Sequence, residues 1–126
     1  MPVRLSLIIP AYNEASRIGN TLRDCLDYFA RQDYDFEIIV VDDGSHDGTS
    51  ELVRREFPNV RLISYAPNRG KGYAVKQGML EAQGQYRLFY DADGSTPISE
   101  VDKLWVPLSA GADVVIGSRS SPGSQV

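Results

Sequence analysis

Five apolar runs, each breaking off into polar residues, set the rhythm of this chain. Residues 3–10 (VRLSLIIP), 37–41 (EIIVV), 60–64 (VRLIS), 86–90 (YRLFY) and 113–116 (DVVI) are short and rich in β-branched or aromatic residues. Such runs read as strands, and the densest of them as strands covered on both faces. Pro10 is expected to stop the first. Between them the apolar period changes. Ile18, Leu22, Cys25, Leu26 and Phe29 recur at helical spacing. A second helix carries Leu52, Val53 and Phe57, with Asp47 or Thr49 as its cap and Pro58 as its stop. A third ends at about Ala82, with Gly84 closing it. Its residues Ala74, Gly78 and Ala82 form a small-residue ridge that permits close approach to a sheet. A fourth helix is expected over residues 99–108.

Strands alternating with helices build βαβ units. The expected fold class is therefore α/β: three layers, α/β/α, around a mostly parallel, doubly wound, Rossmann-like sheet. Residues 1–119 form one domain in this reading and 120–126 a loop or tail. Cys25 lies on the apolar stripe of the first helix and reads as core, as do Tyr73 and Trp105, whereas His46 reads as surface.

Composition narrows the classes. With 126 residues the chain can bury a real core, and 42% hydrophobic with 24% charged residues is ordinary for a soluble domain. A formal charge of −4 with no basic stripe argues against a nucleic-acid partner. A single cysteine cannot form an internal disulfide, so a reducing compartment, the cytoplasm, is expected. No apolar stretch approaches the length of a membrane span, and residues 1–4 (MPVR) lack the apolar core of a signal peptide.

The chemistry collects where strands end. Tyr12, Asn13 and Glu14 follow the first strand, Asp42 and Asp43 the second, Asp91 and Asp93 the fourth, and Ser118 and Arg119 the fifth. Asn68, Arg69, Gly70 and Lys71 follow the third within a few residues. In a parallel sheet these tips share one edge, where open α/β sheets bind ligands. Asp91 and Asp93, two apart, repel each other unless a hard divalent cation such as Mg²⁺ or Mn²⁺ reconciles them, and such ions share their oxygen ligands with substrate phosphates. The bland alternative is a solvated Asp-rich turn. Both common phosphate cradles fail: residues 10–14 (PAYNE) contain no glycine, and Gly70-Lys71 is followed by Gly72, with Tyr65 five positions before Gly70. What remains is clustered carboxylates and one cationic segment, Arg69 and Lys71, able to face a diphosphate.

Five ordered motifs carry a resemblance: residues 10–14 (PAYNE), 40–45 (VVDDGS), 68–72 (NRGKG), 91–94 (DADG) and 117–119 (GSR). Together they resemble family 2 glycosyltransferases of the GT-A fold, and within them the polyprenyl-phosphate (dolichyl-phosphate) glycosyltransferases. The form of residues 91–96 (DADGST) is closer to the β-glucosyltransferase branch than to the mannosyltransferase branch. The resemblance implies that Pro10, Ala11, Tyr12 and Glu14 line a nucleotide pocket, with Tyr12 stacked on the base or packed beneath it. It implies that Asp42 accepts a hydrogen bond from the base and that Asp43 supports that loop. Arg69 and Lys71 flank the nucleotide and its diphosphate. Asp91 and Asp93 form an Asp-x-Asp motif, with Asp93 the direct metal ligand and Asp91 nearer the ribose or the metal's waters. Arg119 faces the donor or acceptor phosphate.

Each role has a plainer counterpart. Tyr12 can be a loop anchor, Asp43 an acceptor for the turn amides of Gly44 and Ser45, Arg69 a solvated charge, and Arg119 the partner of an acid such as Asp91.

The implied reaction is inverting transfer of a hexose, glucose, from a nucleoside-diphosphate sugar (UDP-glucose) to a polyprenyl or dolichyl phosphate. A phosphate monoester with a second pKa of about 6 is already anionic at neutral pH, so the acceptor needs positioning more than deprotonation. The resemblance allows the cytosolic face of a membrane, with attachment through regions outside this chain. The family's catalytic domain continues past the Gly-Ser-Arg motif, so residues 1–126 are expected to hold mainly the donor-binding half and to show little or no transfer alone. The competing readings are another donor or acceptor within the family, GDP-mannose or a polysaccharide; a nucleotidyltransferase, whose glycine-rich first loop is missing here; and a non-catalytic nucleotide-sugar binding module.

Overall fold

The structure, a computed structural model, describes residues 4–95, 97–99 and 114–117. Strand β1 (Leu5–Ala11) leads into helix α1 (Ile18–Ala30), β2 (Phe36–Asp43), α2 (Thr49–Glu56), β3 (Arg61–Tyr65), α3 (Lys71–Glu81), β4 (Tyr86–Tyr90) and β5 (Val114–Gly117). The five strands form one sheet in the order β3-β2-β1-β4-β5, and every pairing is parallel. The chain winds outward from β1 to β3, then returns through α3 to place β4 on the other side of β1. The order therefore reverses between β1 and β4, and the loops leaving those two strands open a crevice at their carboxyl ends.

The alternation along β1 and β2 explains the layers. Leu5, Leu7, Ile9 and Ala11 join Ile38 and Val40 in a core with Ile18, Leu22, Cys25 and Phe29 of α1 and Val53 of α2. Ile8, Ile39 and Val41 point to the opposite face, where they meet Ala74 and Ala82 at α3. Both faces are covered, which is why these strands are apolar at nearly every position. The small-residue ridge does what its composition predicts. A Cβ at Gly78 would overlap Cγ2 of Ile8 and crowd Cγ2 of Val41 at 3.2 Å, so the helix lies against the sheet only because residue 78 has no side chain.

Several expectations are corrected. Pro10 does not end β1 but continues it, opposite Val41. The β1–β4 ladder has already stopped at Ile8↔Phe89, so the missing N–H of Pro10 is not asked for on that side. β2 runs two residues past its apolar core and takes Asp42 and Asp43 into the sheet. Gly84 does not cap α3, whose last turn ends at Ala82 in an extended conformation; instead a Cβ there would lie 2.6 Å from the backbone nitrogen of Ser6. Tyr73 is 38% exposed rather than core. Cys25 is fully buried as expected, and burial, helped by Asp24, pushes its thiol up to about 12. His46 is exposed. The fourth helix beyond Ser99, Trp105, Arg119 and residues 120–126 lie outside the described residues.

The edge opposite the crevice is fastened by a carboxylate. Glu37 accepts hydrogen bonds from the Ser6 hydroxyl, from Arg61 Nη1 at 2.9 Å and from the Gln83 amide at 2.7 Å. The Gly84 amide donates in turn to Ser6 Oγ at 2.8 Å, tying the α3–β4 turn to β1. Burial opposes ionisation of Glu37, yet the Gln83 amide, the Ser6 hydroxyl and Arg61 together hold its carboxyl below the ordinary 4.5. A carboxyl depressed in the folded state stabilises it above the unfolded pKa and loses that contribution as the pH falls through the lower, folded value. Glu37→Gln should therefore cost about 2 kcal/mol at pH 7, the scale of hydrogen bonds to a charged group. Its unfolding free energy should also fall less steeply than the wild type's below pH 4.5, which urea denaturation across pH 3–7 will measure.

Candidate functional site

An open cleft of about 410 Å³ lies at the crevice. The end of β1 and its loop contribute Pro10, Ala11, Tyr12 and Glu14; β2 contributes Asp43; the loop into α3 and its first turn contribute Asn68, Gly70, Lys71 and Ala74; and the turn after β4 contributes Asp91, Ala92 and Asp93. Tips far apart in sequence thus converge on one volume. Asp42 and Arg69, expected among the nucleotide ligands, are not on its wall.

The pleat separates Asp42 from Asp43. Successive side chains on a strand point to opposite faces, so the two acids, both under 4% exposed, serve different loops. Asp42 faces α2, where it accepts the Ser45 amide at 2.9 Å and the Ser50 hydroxyl. It is Asp42, rather than Asp43, that holds the turn after β2. Asp43 faces α3 and accepts hydrogen bonds from Tyr65 Oη at 2.6 Å, Asn68 Nδ2 at 2.6 Å, and the amides of Arg69 and Gly70, each at 2.9 Å. Four donors around one carboxylate shape the loop that delivers Lys71 to the cleft. Burial and this bond to Asp43 also push the Tyr65 phenol above its ordinary pKa. Gly44, at φ +81°, leaves the strand beneath that loop; a Cβ there would lie 2.6 Å from the Asn68 backbone nitrogen.

Lys71 is the first residue of α3, and its Nζ lies 2.7 Å from Asp91 Oδ1 and 5.3 Å from the centre of the Phe89 ring. Asp91 is only 20% exposed at its side chain. Asp93 is exposed on the other side of the turn, where its Oδ1 accepts the Ser95 amide at 3.0 Å. Between them Ala92 is buried, and its carbonyl accepts the hydroxyl of Thr21 at 2.7 Å. Arg69 turns away from the cleft, its guanidinium 5.3 Å from the centre of the Tyr73 ring, while its backbone amide serves Asp43.

The loop after β1 is laced to the loop after β2. Asn13, in the left-handed region at φ 54°, donates its amide to Ser45 Oγ at 2.7 Å and accepts the His46 amide at 2.8 Å. Glu14 and Ala15 donate theirs to Thr49 Oγ1 and Asp47 Oδ2, each at 3.1 Å. Asp47 also accepts the Thr49 amide at 3.2 Å at the start of α2, next to Gly48. These bonds fix the base of Tyr12, which is 44% exposed and free to offer its ring face to the cleft. Glu14, drawn toward the Arg17 guanidinium at 2.7 Å, closes one wall.

The sequence alone gives no role to Thr21 or Asn68, both of which have evident ones here. Thr21 is a polar residue inside the apolar period of α1, one position before Leu22. That placement was the available signal. Asn68 was visible in its motif but overshadowed by the charges beside it.

Chemically, the cleft pairs hard oxygen donors with an ammonium group at a sheet edge, an arrangement suited to an anionic ligand. Among the described residues no group of three or more His, Cys, Asp or Glu side chains is placed to hold a metal ion. A cation here would take two carboxylates at most from these residues.

The family model described as Glycosyl transferase family 2 matches residues 6–125. The chain is 39% identical to a dolichyl-phosphate beta-glucosyltransferase of Drosophila melanogaster, over 94% of this chain and 41% of that protein. It is 43% identical to the dolichyl-phosphate beta-glucosyltransferase of Saccharomyces cerevisiae, over 79% of this chain and 33% of that protein. It thus spans well under half the length of these curated relatives. Among solved structures, it resembles the mannosyltransferase PcManGT from Pyrobaculum calidifontis in complex with GDP-Man and Mn²⁺, with a TM-score of 0.66 and 31% identity, over 85% of this chain and 35% of that one. It also resembles glucosyl-3-phosphoglycerate synthase from Mycobacterium tuberculosis in complex with Mn²⁺, UDP and glucosyl-3-phosphoglycerate, with a TM-score of 0.66 and 26% identity, over 84% of this chain and 39% of that one. The fold is of the GT-A type. A family match that runs from within β1 to beyond β5 takes in every strand tip that builds the cleft, and the chain belongs to glycosyl transferase family 2.

Proposed function

We propose that this chain is the donor-binding part of an inverting glycosyltransferase that moves glucose from UDP-glucose to a polyprenyl or dolichyl phosphate. The observation that carries the reading is the convergence of Tyr12, Lys71, Asp91 and Asp93 on one cleft at the topological switch point. The relatives named dolichyl-phosphate beta-glucosyltransferase support the sugar and the acceptor. Because the acceptor is a membrane lipid, a cytoplasmic location at the cytosolic face of a membrane belongs to the same proposal; no helix among the described residues is long and apolar enough to cross a membrane.

The donor set suits a divalent ion. Asp91 and Asp93 offer oxygen alone, and two carboxylates completed by substrate phosphates and water are a usual site for Mg²⁺ or Mn²⁺. When bound, such an ion neutralises the charge that develops on the departing diphosphate. Asp93, the more open of the two, is its direct ligand in this reading. Lys71 would exchange its contact with Asp91 for a diphosphate oxygen, adding a fixed positive charge where the leaving group forms. Tyr12 would lie against the base. Arg119 would face the donor or acceptor phosphate. An acceptor phosphate that is already ionised needs alignment with the anomeric carbon rather than a base.

Calorimetric titration with UDP-glucose, GDP-mannose and NAD, each with and without Mn²⁺, tests the proposal. UDP-glucose should bind at least about tenfold more tightly with Mn²⁺, a difference of ~1.4 kcal/mol, and more tightly than GDP-mannose. Preference for GDP-mannose would move the donor assignment, and tight metal-free binding of NAD would overturn the function.

A further inference from the structure

The Asp91-to-Asp93 turn is anchored from an unexpected direction. Its middle residue, Ala92, is buried in the core beneath α1, and the carbonyl of Ala92 accepts the Thr21 hydroxyl at 2.7 Å across 71 residues of sequence. Thr21 itself is 4% exposed, and the Arg17 carbonyl, a second acceptor at 3.2 Å, is the more distant. On the far side of the turn, Gly94 holds φ +65°, and a Cβ there would press on Thr21 Oγ1 at 2.9 Å. The Gly94 amide closes the turn onto the Asp91 carbonyl at 3.2 Å. One hydroxyl thus meets the turn at its centre and just beyond its end.

The geometry points to Thr21 as a positioning residue for the two carboxylates: it holds the backbone between them so that Asp91 is presented toward Lys71 and Asp93 toward the open cleft. The physical reason lies in the sequence of the turn. Asp91 and Asp93 repel, and a two-residue separation on a surface loop would let them swing apart. Pinning the residue between them, both through its methyl group in the core and through its carbonyl, limits the separations the carboxylates can reach. Preorganisation of that kind matters for metal and diphosphate binding, where displacement by about 1 Å is costly. The inference rests on the proposed donor site, but the order of the turn can be read without any ligand.

The test therefore has two readouts. Thr21→Val keeps the shape and removes the donor; Thr21→Ser restores the donor on a smaller side chain. Amide hydrogen exchange at Gly94, without ligand, should be about tenfold faster in Thr21→Val than in the wild type and close to the wild type in Thr21→Ser. Titration with UDP-glucose should show the Mn²⁺-dependent part of the affinity falling about tenfold in Thr21→Val, with metal-free binding changed less than twofold and Thr21→Ser restoring the loss. Unchanged exchange at Gly94 in Thr21→Val would overturn the inference, as would equal losses of metal-free and metal-dependent binding, the signature of a merely structural role. Should Thr21→Val not fold, Thr21→Ala against Thr21→Ser gives the same comparison. If the wild type shows no Mn²⁺-dependent binding, the donor-site reading fails, while the exchange measurement still decides whether Thr21 orders the turn.

Discussion

Asp43→Ala is expected to be the most destabilising single substitution at the cleft, lowering the unfolding free energy by about 3 kcal/mol. The carboxylate is 3% exposed and accepts from Tyr65, Asn68 and the amides of Arg69 and Gly70. Stranding a buried donor costs roughly 1–3 kcal/mol. Four such costs will not simply add, because Asn68 and Arg69 are near solvent and water can enter to serve them. The Gly70 amide and the phenol of Tyr65, both less exposed, relax less easily. With a urea slope of about 1–3 kcal/mol per molar for a domain of this size, the midpoint should drop by at least about 1 M. Asp43→Asn should recover little, since its NH₂ group would point at donors rather than accept from them. A midpoint within about 0.3 M of the wild type would show that the loop holds its shape without the carboxylate. Because the same loop starts α3, donor affinity should fall together with stability, and this sets Asp43 apart from residues that only contact ligand.

Asp93→Ala should do the opposite: abolish Mn²⁺-dependent binding of UDP-glucose, a loss of at least about 100-fold or ~2.7 kcal/mol, while leaving the fold intact. The side chain is exposed, and its bond to the Ser95 amide is local. Lys71→Ala provides the complementary sign. Its ammonium lies on Asp91 at 2.7 Å, with the lysine 56% exposed, so the pair contributes little to stability, no more than about 1 kcal/mol. It does compete with any cation for Asp91. Removing it should tighten binding of Mn²⁺ alone, severalfold, and weaken binding of UDP-glucose with Mn²⁺, since a positive charge facing the diphosphate is lost. Manganese titrations followed by water-proton relaxation, with and without nucleotide, separate the two effects. Weaker Mn²⁺ binding in Lys71→Ala would show that the lysine supports the metal site instead of competing for it.

Taken together, these predictions distribute the cleft's tasks by depth. Acids inside the sheet build loops, and acids beyond its end are expected to meet ligand. Adjacent acids in one motif, Asp42 and Asp43, therefore answer to different tests from Asp91 and Asp93, although all four look alike in composition.

Much of this molecule was legible in its residues. Continuous apolar runs, a 3.6-residue apolar period and the small-residue ridge located every described strand and helix within a few residues, because burial on both faces leaves strands such as residues 5–11 almost no polar position. The small-residue ridge in α3 announced a close approach, and the gathering of polar motifs at strand ends announced a site at one sheet edge. These are consequences of local pattern and parallel topology, which a linear reading can follow. Which acid faces which loop was beyond its reach. It depends on β2 extending through Asp43 and on the pleat turning Asp42 toward α2 and Asp43 toward α3, a parity that a shift of one residue would invert. Arg69 and Lys71, two apart in one loop, separate for a similar reason: the first helical residue is aimed at β4, and the preceding arginine is drawn over Tyr73. Thr21 shows the limit most plainly. Nothing within its own helix says that its hydroxyl will meet Ala92, because that contact exists only once β4 has been laid beside β1. Local sequence decides which segments can be strands, helices and turns, since those depend on neighbours along the chain; the assembled sheet decides which side chains meet in the cleft, since those are neighbours only in space.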